Sequence, residues 1–421
     1  MPRPSAPSPS STRRITGISR RRMVTMGSAF AAGLALTAAP GAPAVAAMPR
    51  RAPGDVQPPV RLVLPRPSGP YALGTMTLHL SDRSRRDPWV ATRPVRELMV
   101  QLWYPAHAAA SLPRVPWMAG QAAAVFQQTG YLLSEYVTLP DTHARIGAAA
   151  DRRGGRRPVI LYSHGHAQHR GSSTALVEEL VSHGYVVVTI DHTYDAGQVE
   201  FPRGRVEKYA MPPLTGEDDD PTILKAVDVR VADTRFVLEE LSRFVRGRRG
   251  PLPHGLGDIL DLSRTGMFGH SLGGATAASA MAAGVPITAG ANLDGSLFGP
   301  VVANGLRKPF LLMSEDADNK PSWPEIWPRL RGWRRHLRLT GTRHFSYTDY
   351  ETFMPQAATR LGATDEQLAE FIGPLDGTRG IDVQRHFLLA YFDLHLRGCR
   401  APILDGPSPQ YPEVRFIGGV G

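Results

Sequence analysis

The chain has 421 residues, 42 % of them hydrophobic, which is enough for a full core; the length alone would allow two or three domains, and one α/β domain with insertions is expected over 71–400. Its formal charge of +10 overstates how basic it is: six arginines and no acid lie within residues 1–47, and the +4 that remains excludes an electrostatic case for nucleic acid as partner. The single cysteine, Cys399, excludes an intrachain disulfide and a cysteine-based metal site.

The first 47 residues read as a targeting segment. Ser19-Arg20-Arg21-Arg22-Met23-Val24 resembles a twin-arginine export signal. A mildly apolar stretch follows over 24–39, and Ala44-Val45-Ala46 makes a small-residue cleavage pattern. The apolar stretch is shorter than the ~20 residues a membrane span needs. A signal peptide is therefore expected at 1–47, and a secreted or extracytoplasmic protein. Residues 48–70, rich in Pro and Arg, are expected to be a flexible linker.

Residues 71–80 and 97–103 alternate apolar and polar positions and predict strands. The stretch 106–150 reads as an insertion of short helices. Its Trp117, Phe126, Tyr131, Leu132 and Leu133 could rim a pocket or touch lipid aggregates, but burial against the sheet is the simpler expectation. Alternation then sets in. Strands are predicted at 158–163 and 185–190, with a helix at 174–182 between them. A long loop, 193–221, carries four acids at 217–220. Asp220-Pro221 starts a helix that sets Val227, Val231, Leu238, Leu241 and Val245 on one face, with Asp228, Arg230, Asp233 and Arg235 off it. Further strands are predicted at 265–268, 287–293, 309–313 and 336–339, and a closing amphipathic helix at 383–396. Residues 401–421 read as a tail. Apolar strands alternating with helices predict an α/β fold with a mostly parallel sheet covered on both faces.

The chemistry centres on Phe268-Gly269-His270-Ser271-Leu272-Gly273. A short buried strand leads in, and a helix of small residues leads out. Gly-x-Ser-x-Gly in that setting predicts a strained turn that lifts a serine hydroxyl above the sheet. A serine nucleophile needs a base, a group that orients the base, and oxyanion donors. In an open α/β sheet these lie past the C-terminal ends of strands. His344, five residues past the last predicted strand, is the expected base. His386 and His395 fall at helical spacing on the closing helix and read as surface or packing residues. The acid is Asp294, followed by Gly295, or one of Glu315, Asp316 and Asp318 on the next strand end; the residues alone leave both open. The expected oxyanion donors are the backbone N–H groups of Leu272 and of His166, the latter in His164-Gly165-His166 after the strand at 158–163.

Ser163-His164-Gly165 with Arg170, Gly269-His270-Ser271-Leu272-Gly273-Gly274-Ala275-Thr276, Leu293-Asp294-Gly295 and His344 with Phe345, Tyr347 and Asp349 together resemble the plasma and intracellular type II platelet-activating factor acetylhydrolases. The resemblance covers about residues 97–397. It implies an α/β-hydrolase fold, Asp294 as the acid, and His166 and Leu272 as oxyanion donors. It also implies calcium-independent cleavage of short or oxidised acyl groups from the sn-2 position of phospholipids, with no cofactor. This chain has His166 where the family has an apolar residue and His169 where it has an aromatic one, so the acyl wall is expected to differ. Many bacterial relatives of this kind are esterases or lipases of broad range.

Two other readings fit parts of the sequence. His164, His166 and His169 have the spacing of a zinc-hydrolase box, although Gln168 stands where that box needs an acid. A non-catalytic hydrolase fold used for binding is the other, but such a protein would have no need to keep both Ser271 and His344.

Overall fold

A computed structural model of the chain describes residues 58–418, apart from 108–109, 119, 130–131, 133–135, 216–219, 248–249, 251 and 318–319. The expected signal peptide, Tyr131, Leu133, three of the four loop acids (217–219) and Asp318 lie outside the described residues.

Eleven strands form one sheet. Across it they run Val414–Ile417, Arg334–Leu339, Phe310–Ser314, Ala289–Leu293, Leu260–His270, Arg157–Ser163, Val186–Asp191, Arg96–Ala106, Ala72–Asp82, Asp141–Ile146 and Arg114–Pro116. The six from Arg334–Leu339 to Val186–Asp191 are parallel throughout. Each predicted strand is present to within a few residues. Parallel strands are buried on both sides, and successive side chains serve opposite faces. Val159 and Leu161 join one core with the helices Pro221–Val245 and Leu272–Ala282. Ile160 and Tyr162 join the other core with Thr174–Ser182 and Gly377–Arg397. The parallel strands leave their C-terminal ends together, and that edge carries the candidate site.

Several segments differ from expectation. Among the described residues, 106–150 hold one helix, Gly120–Thr129, and strands of which Arg114–Pro116 and Asp141–Ile146 lengthen the sheet edge, in place of the expected short helices. The two- and three-residue strands are too short to show a period of two, and Asp141–Ile146 buries only the small Thr142 and Ala144. Trp117, Phe126 and Leu132 are buried. Part of the expected linker is packed: Val60–Arg61 pairs with Val137–Thr138, and Leu62 and Leu64 are buried. The expected tail supplies the antiparallel edge strand Val414–Ile417. The loop after Val186–Asp191 contains a hairpin, Gln198–Phe201 with Arg205–Lys208. No helix among the described residues is long and apolar enough to cross a membrane.

The helix Pro221–Val245 starts as its sequence indicates, with Asp220 accepting from the Thr222 and Ile223 amides. Its polar face departs from expectation, because Arg230 and Asp233 are fully buried. Asp233 accepts from Arg96 Nη2 at 2.7 Å, from Arg85 Nη2 at 3.0 Å and from His192 Nδ1 at 3.0 Å; Arg96 also reaches Asp87 at 2.9 Å. Burial opposes the Asp233 charge, but Arg96 and these hydrogen bonds outweigh it and hold the carboxyl well below its usual range.

Removing one member of a buried ion pair strands the other. Arg96→Met is expected to cost about 3–5 kcal/mol. It should lower the urea midpoint with an unchanged slope; a midpoint equal to that of wild type would show that the pair is dispensable.

Candidate active site

Ser271 is the single residue between the strand Leu260–His270 and the helix Leu272–Ala282. Its φ of 54° and ψ of −124° are strained for a residue with a side chain. The turn exists because its neighbours are glycines. A Cβ on Gly273 would collide with the Ser163 carbonyl, one on Gly269 with the Gly273 and Ser163 backbones, and one on Gly295 with the Ser271 carbonyl. The ends of three strands therefore close directly on the turn. Ser271 N donates to Leu293 O at 2.8 Å, and Gly274 N donates to Ser271 O at 2.9 Å.

Asp294 follows the strand Ala289–Leu293 and also has a positive φ, 58°. It is fully buried, with Oδ1 accepting from the Glu315 amide at 3.0 Å. Its Oδ2 lies 2.5 Å from His344 Nδ1 and 3.1 Å from Lys320 Nζ. Burial alone would raise this carboxyl, but Lys320 and His344 outweigh it and hold it below its usual value. His344 opens the turn His344–Tyr347 and is about one-third exposed. Donation from Nδ1 to a carboxylate leaves Nε2 as the basic nitrogen of the neutral ring.

Among the described residues the Ser271 hydroxyl has no hydrogen-bond partner. Its neighbour His270 ties the turn to the histidine loop: His270 Nε2 donates to the His344 carbonyl at 2.9 Å, and the two rings lie 4.6 Å apart. Burial, then the His344 ring, keeps His270 far below its usual pKa and hence neutral. Gln168 Oε1 accepts from the Gly165 amide at 3.0 Å and lies 3.0 Å from His270 Nδ1, which places the loop after Arg157–Ser163 beside the turn. The amides of His166 and Leu272 have no protein acceptor among the described residues; for Leu272 this follows from its place at the start of a helix. Beside His344, Phe345 stacks on Phe371 at 4.8 Å.

Other expected groups part company. Glu315 is buried and reaches Lys320 at 3.1 Å, not His344, and Asp316 accepts from the Gly341 amide. The three histidines of the zinc reading face three different ways. His164 Nδ1 donates to Gly165 O at 2.6 Å, His166 Nε2 pairs with Tyr209 OH at 2.9 Å, and His169 packs against Trp117 and Phe126. No group of three His, Cys, Asp or Glu side chains among the described residues converges on a metal position. On the closing helix, His395 stacks on Trp333 and Tyr391, and His386 bonds the Asp382 carbonyl. Sequence reasoning missed His270, Gln168, Lys320 and Arg230. Of these only His270 carried a signal, by its position inside the serine motif.

Residues 60–201 match the family model of platelet-activating factor acetylhydrolase, isoform II. A structure of a ferulic acid esterase from Streptomyces cinnamoneus superposes with a TM-score of 0.71 at 34 % identity, over 85 % of this chain and 99 % of that one. The chain belongs to the platelet-activating factor acetylhydrolase isoform II family. Across this family, an Arthroderma benhamiae protein named "Probable 1-alkyl-2-acetylglycerophosphocholine esterase" is 28 % identical over 85 % of this chain and 95 % of its own. The Gallus gallus platelet-activating factor acetylhydrolase is 22 % identical over 79 % and 83 %. The protein is an α/β-hydrolase and a carboxylic ester hydrolase, and its substrate is a small-molecule or phospholipid ester.

Two measurements probe this geometry. Gly273→Ala forces a methyl into the Ser163 carbonyl, with an expected loss of about 1–3 kcal/mol; a urea midpoint matching wild type would mean the turn has slack. Because the Asp294 pKa is lowered from 3.8, its contribution to stability is present above that value and is lost as pH falls through the lowered one. Lys320→Met should therefore be less stable than wild type near neutral pH, and its urea midpoint should fall less on acidification, because the Asp294 contribution that is lost there is smaller. Superimposable pH curves would dismiss the Lys320 contribution.

Proposed function

We propose that this enzyme hydrolyses esters through Ser271, His344 and Asp294 by way of an acyl-enzyme. His344 Nε2 takes the proton from Ser271 as Oγ attacks the ester carbonyl. Asp294 holds the imidazole and stabilises its positive charge. The N–H groups of His166 and Leu272 receive the oxyanion. The protonated His344 then gives its proton to the departing alkoxide. Water, deprotonated by the same nitrogen, releases the acid from Ser271. The observation that carries this reading is the 2.5 Å pairing of His344 Nδ1 with a fully buried Asp294, on the sheet edge where the strained Ser271 turn stands. The mechanism uses no metal and no cofactor.

The proposed substrates are phospholipids with a short or oxidised sn-2 acyl group, on the strength of the family and its named relatives. The 34 % identity to a ferulic acid esterase, together with the aromatic wall of Phe345 and Phe371, favours aromatic acyl esters as a second reading. We further propose that residues 1–47 direct export by the twin-arginine route and that the enzyme works outside the cytoplasm, where peripheral contact with lipid aggregates is open to it.

Ser271→Ala should lower kcat by several orders of magnitude with the fold intact. A fluorophosphonate should label wild type at Ser271, read by peptide mass spectrometry; activity surviving in the alanine variant would remove the serine from its role. A panel of an sn-2 acetyl phospholipid, methyl ferulate and triglycerides of increasing chain length separates the substrate readings. Preference for long-chain triglycerides would defeat both.

A further inference from the structure

Arg230 lies near the middle of the helix Pro221–Val245, fully buried, and no step of the proposed mechanism uses it. Its guanidinium binds Asp195 through two bonds of 2.6 Å, and Asp195 is equally buried. The other donors point at the loop that carries the His166 amide. Nη1 donates to the His164 carbonyl and to Ser163 Oγ, the latter at 3.2 Å, and Nη2 reaches the Gly165 carbonyl at 3.3 Å. The Gly165 carbonyl also accepts from His164 Nδ1 at 2.6 Å and from the Gln168 amide at 3.2 Å.

A trans peptide holds its C=O and N–H on opposite sides of one plane. The Gly165 carbonyl and the His166 amide belong to the same peptide. Three donors, the Arg230 guanidinium, the His164 ring and the Gln168 amide, draw that carbonyl into the protein, so the amide must face the other way. The Gly273 backbone packs against the Ser163 and His164 carbonyls, so the loop lies against the Ser271 turn.

We infer that Arg230, backed by Asp195, is the positioning residue that fixes the Gly165–His166 peptide with its N–H toward the oxyanion position. Asp195 balances the Arg230 charge, so Arg230 acts by holding geometry and not by its field. The grip is anchored further. Ser163 Oγ donates to His192 Nε2 at 3.0 Å, and His192 Nδ1 donates to Asp233, which Arg96 holds. Every polar group along this chain has a partner, so the peptide has little freedom to rotate.

The inference rests on His166 being an oxyanion donor. Arg230→Lys, Asp195→Asn and the double change Arg230→Met with Asp195→Asn are tested, the last removing both buried charges together. Fold is checked by circular dichroism. Each folded variant is assayed with p-nitrophenyl acetate, with the corresponding thionoester, and for inhibition by a trifluoromethyl ketone. A misplaced donor costs on the order of 100-fold. The Arg230 variants should lose about that in kcat with KM little changed. They should bind the ketone more weakly by a similar factor, and their preference for the oxygen ester over the thionoester should shrink. Asp195→Asn, which keeps the carbonyl bonds, should lose less. Folded Arg230 variants with wild-type kcat and wild-type ester preference would overturn the inference. Fluorophosphonate labelling of wild type separates the two claims. Labelling at Ser271 alongside unaffected Arg230 variants overturns only the role of Arg230, whereas absence of labelling at Ser271 removes the mechanism and this role with it.

Discussion

The site depends on one steric constraint. Ser271 sits at positive φ, and the chain reaches that conformation only where the backbones of three neighbouring strand ends come within touching distance of the turn. Gly269, Gly273 and Gly295 supply that closeness by having no Cβ. The same closeness sets the rest of the site. The strand end that abuts Gly273 continues into the loop of His166, and the strand end that abuts Ser271 carries Asp294. A side chain at any of these glycines would push apart the groups whose proximity makes the chemistry. The strain at Ser271 and at Asp294 is held by the parallel sheet beneath them, whose strands are buried on both faces.

A second layer of order is polar. Asp87, Arg96, Asp233, His192, Ser163, Arg230 and Asp195 form a connected set of buried groups running beneath the strand ends. Such a set is a poor source of stability, because each charge loses its hydration. It is a good source of specificity, because its bonds are satisfied in one arrangement. It joins Arg230 and Asp233 on one helix to loops that begin at three different strands. The position of the oxyanion loop is therefore tied to the helix packed on the far side of the sheet edge.

How much of this the sequence disclosed follows from the range of each interaction. Local signals were legible. Unbroken apolar runs marked the parallel strands, and the glycines around Ser271 marked the turn. Strand-end position singled out His344 and narrowed the acid to two strand ends. What it could not disclose was which polar residues are buried. Arg230 and Asp233 lie off the apolar face of their helix, and a helix alone would expose them. Their partners Asp195, Arg96 and His192 are 35 to 137 residues away. No window on the sequence holds both ends of such a bond. The short strands at 114–116, 137–138 and 414–417 escaped for a related reason, since each is defined by its partner and not by its own pattern.

Lys320 stands between the two candidate acids. Both strand ends present a buried carboxylate, and Lys320 Nζ stands 3.1 Å from each, on Asp294 Oδ2 and Glu315 Oε1. A cation shared with a second carboxylate offsets less of the Asp294 charge than one held by Asp294 alone, which leaves room for a second cation beside it. The His344 ring lies on the Asp294 side, 2.5 Å from the oxygen that Lys320 also touches. Under the proposed mechanism the imidazolium that forms when Ser271 gives up its proton supplies that second cation. Glu315 then contributes without meeting the histidine, by drawing part of the lysine charge away from Asp294.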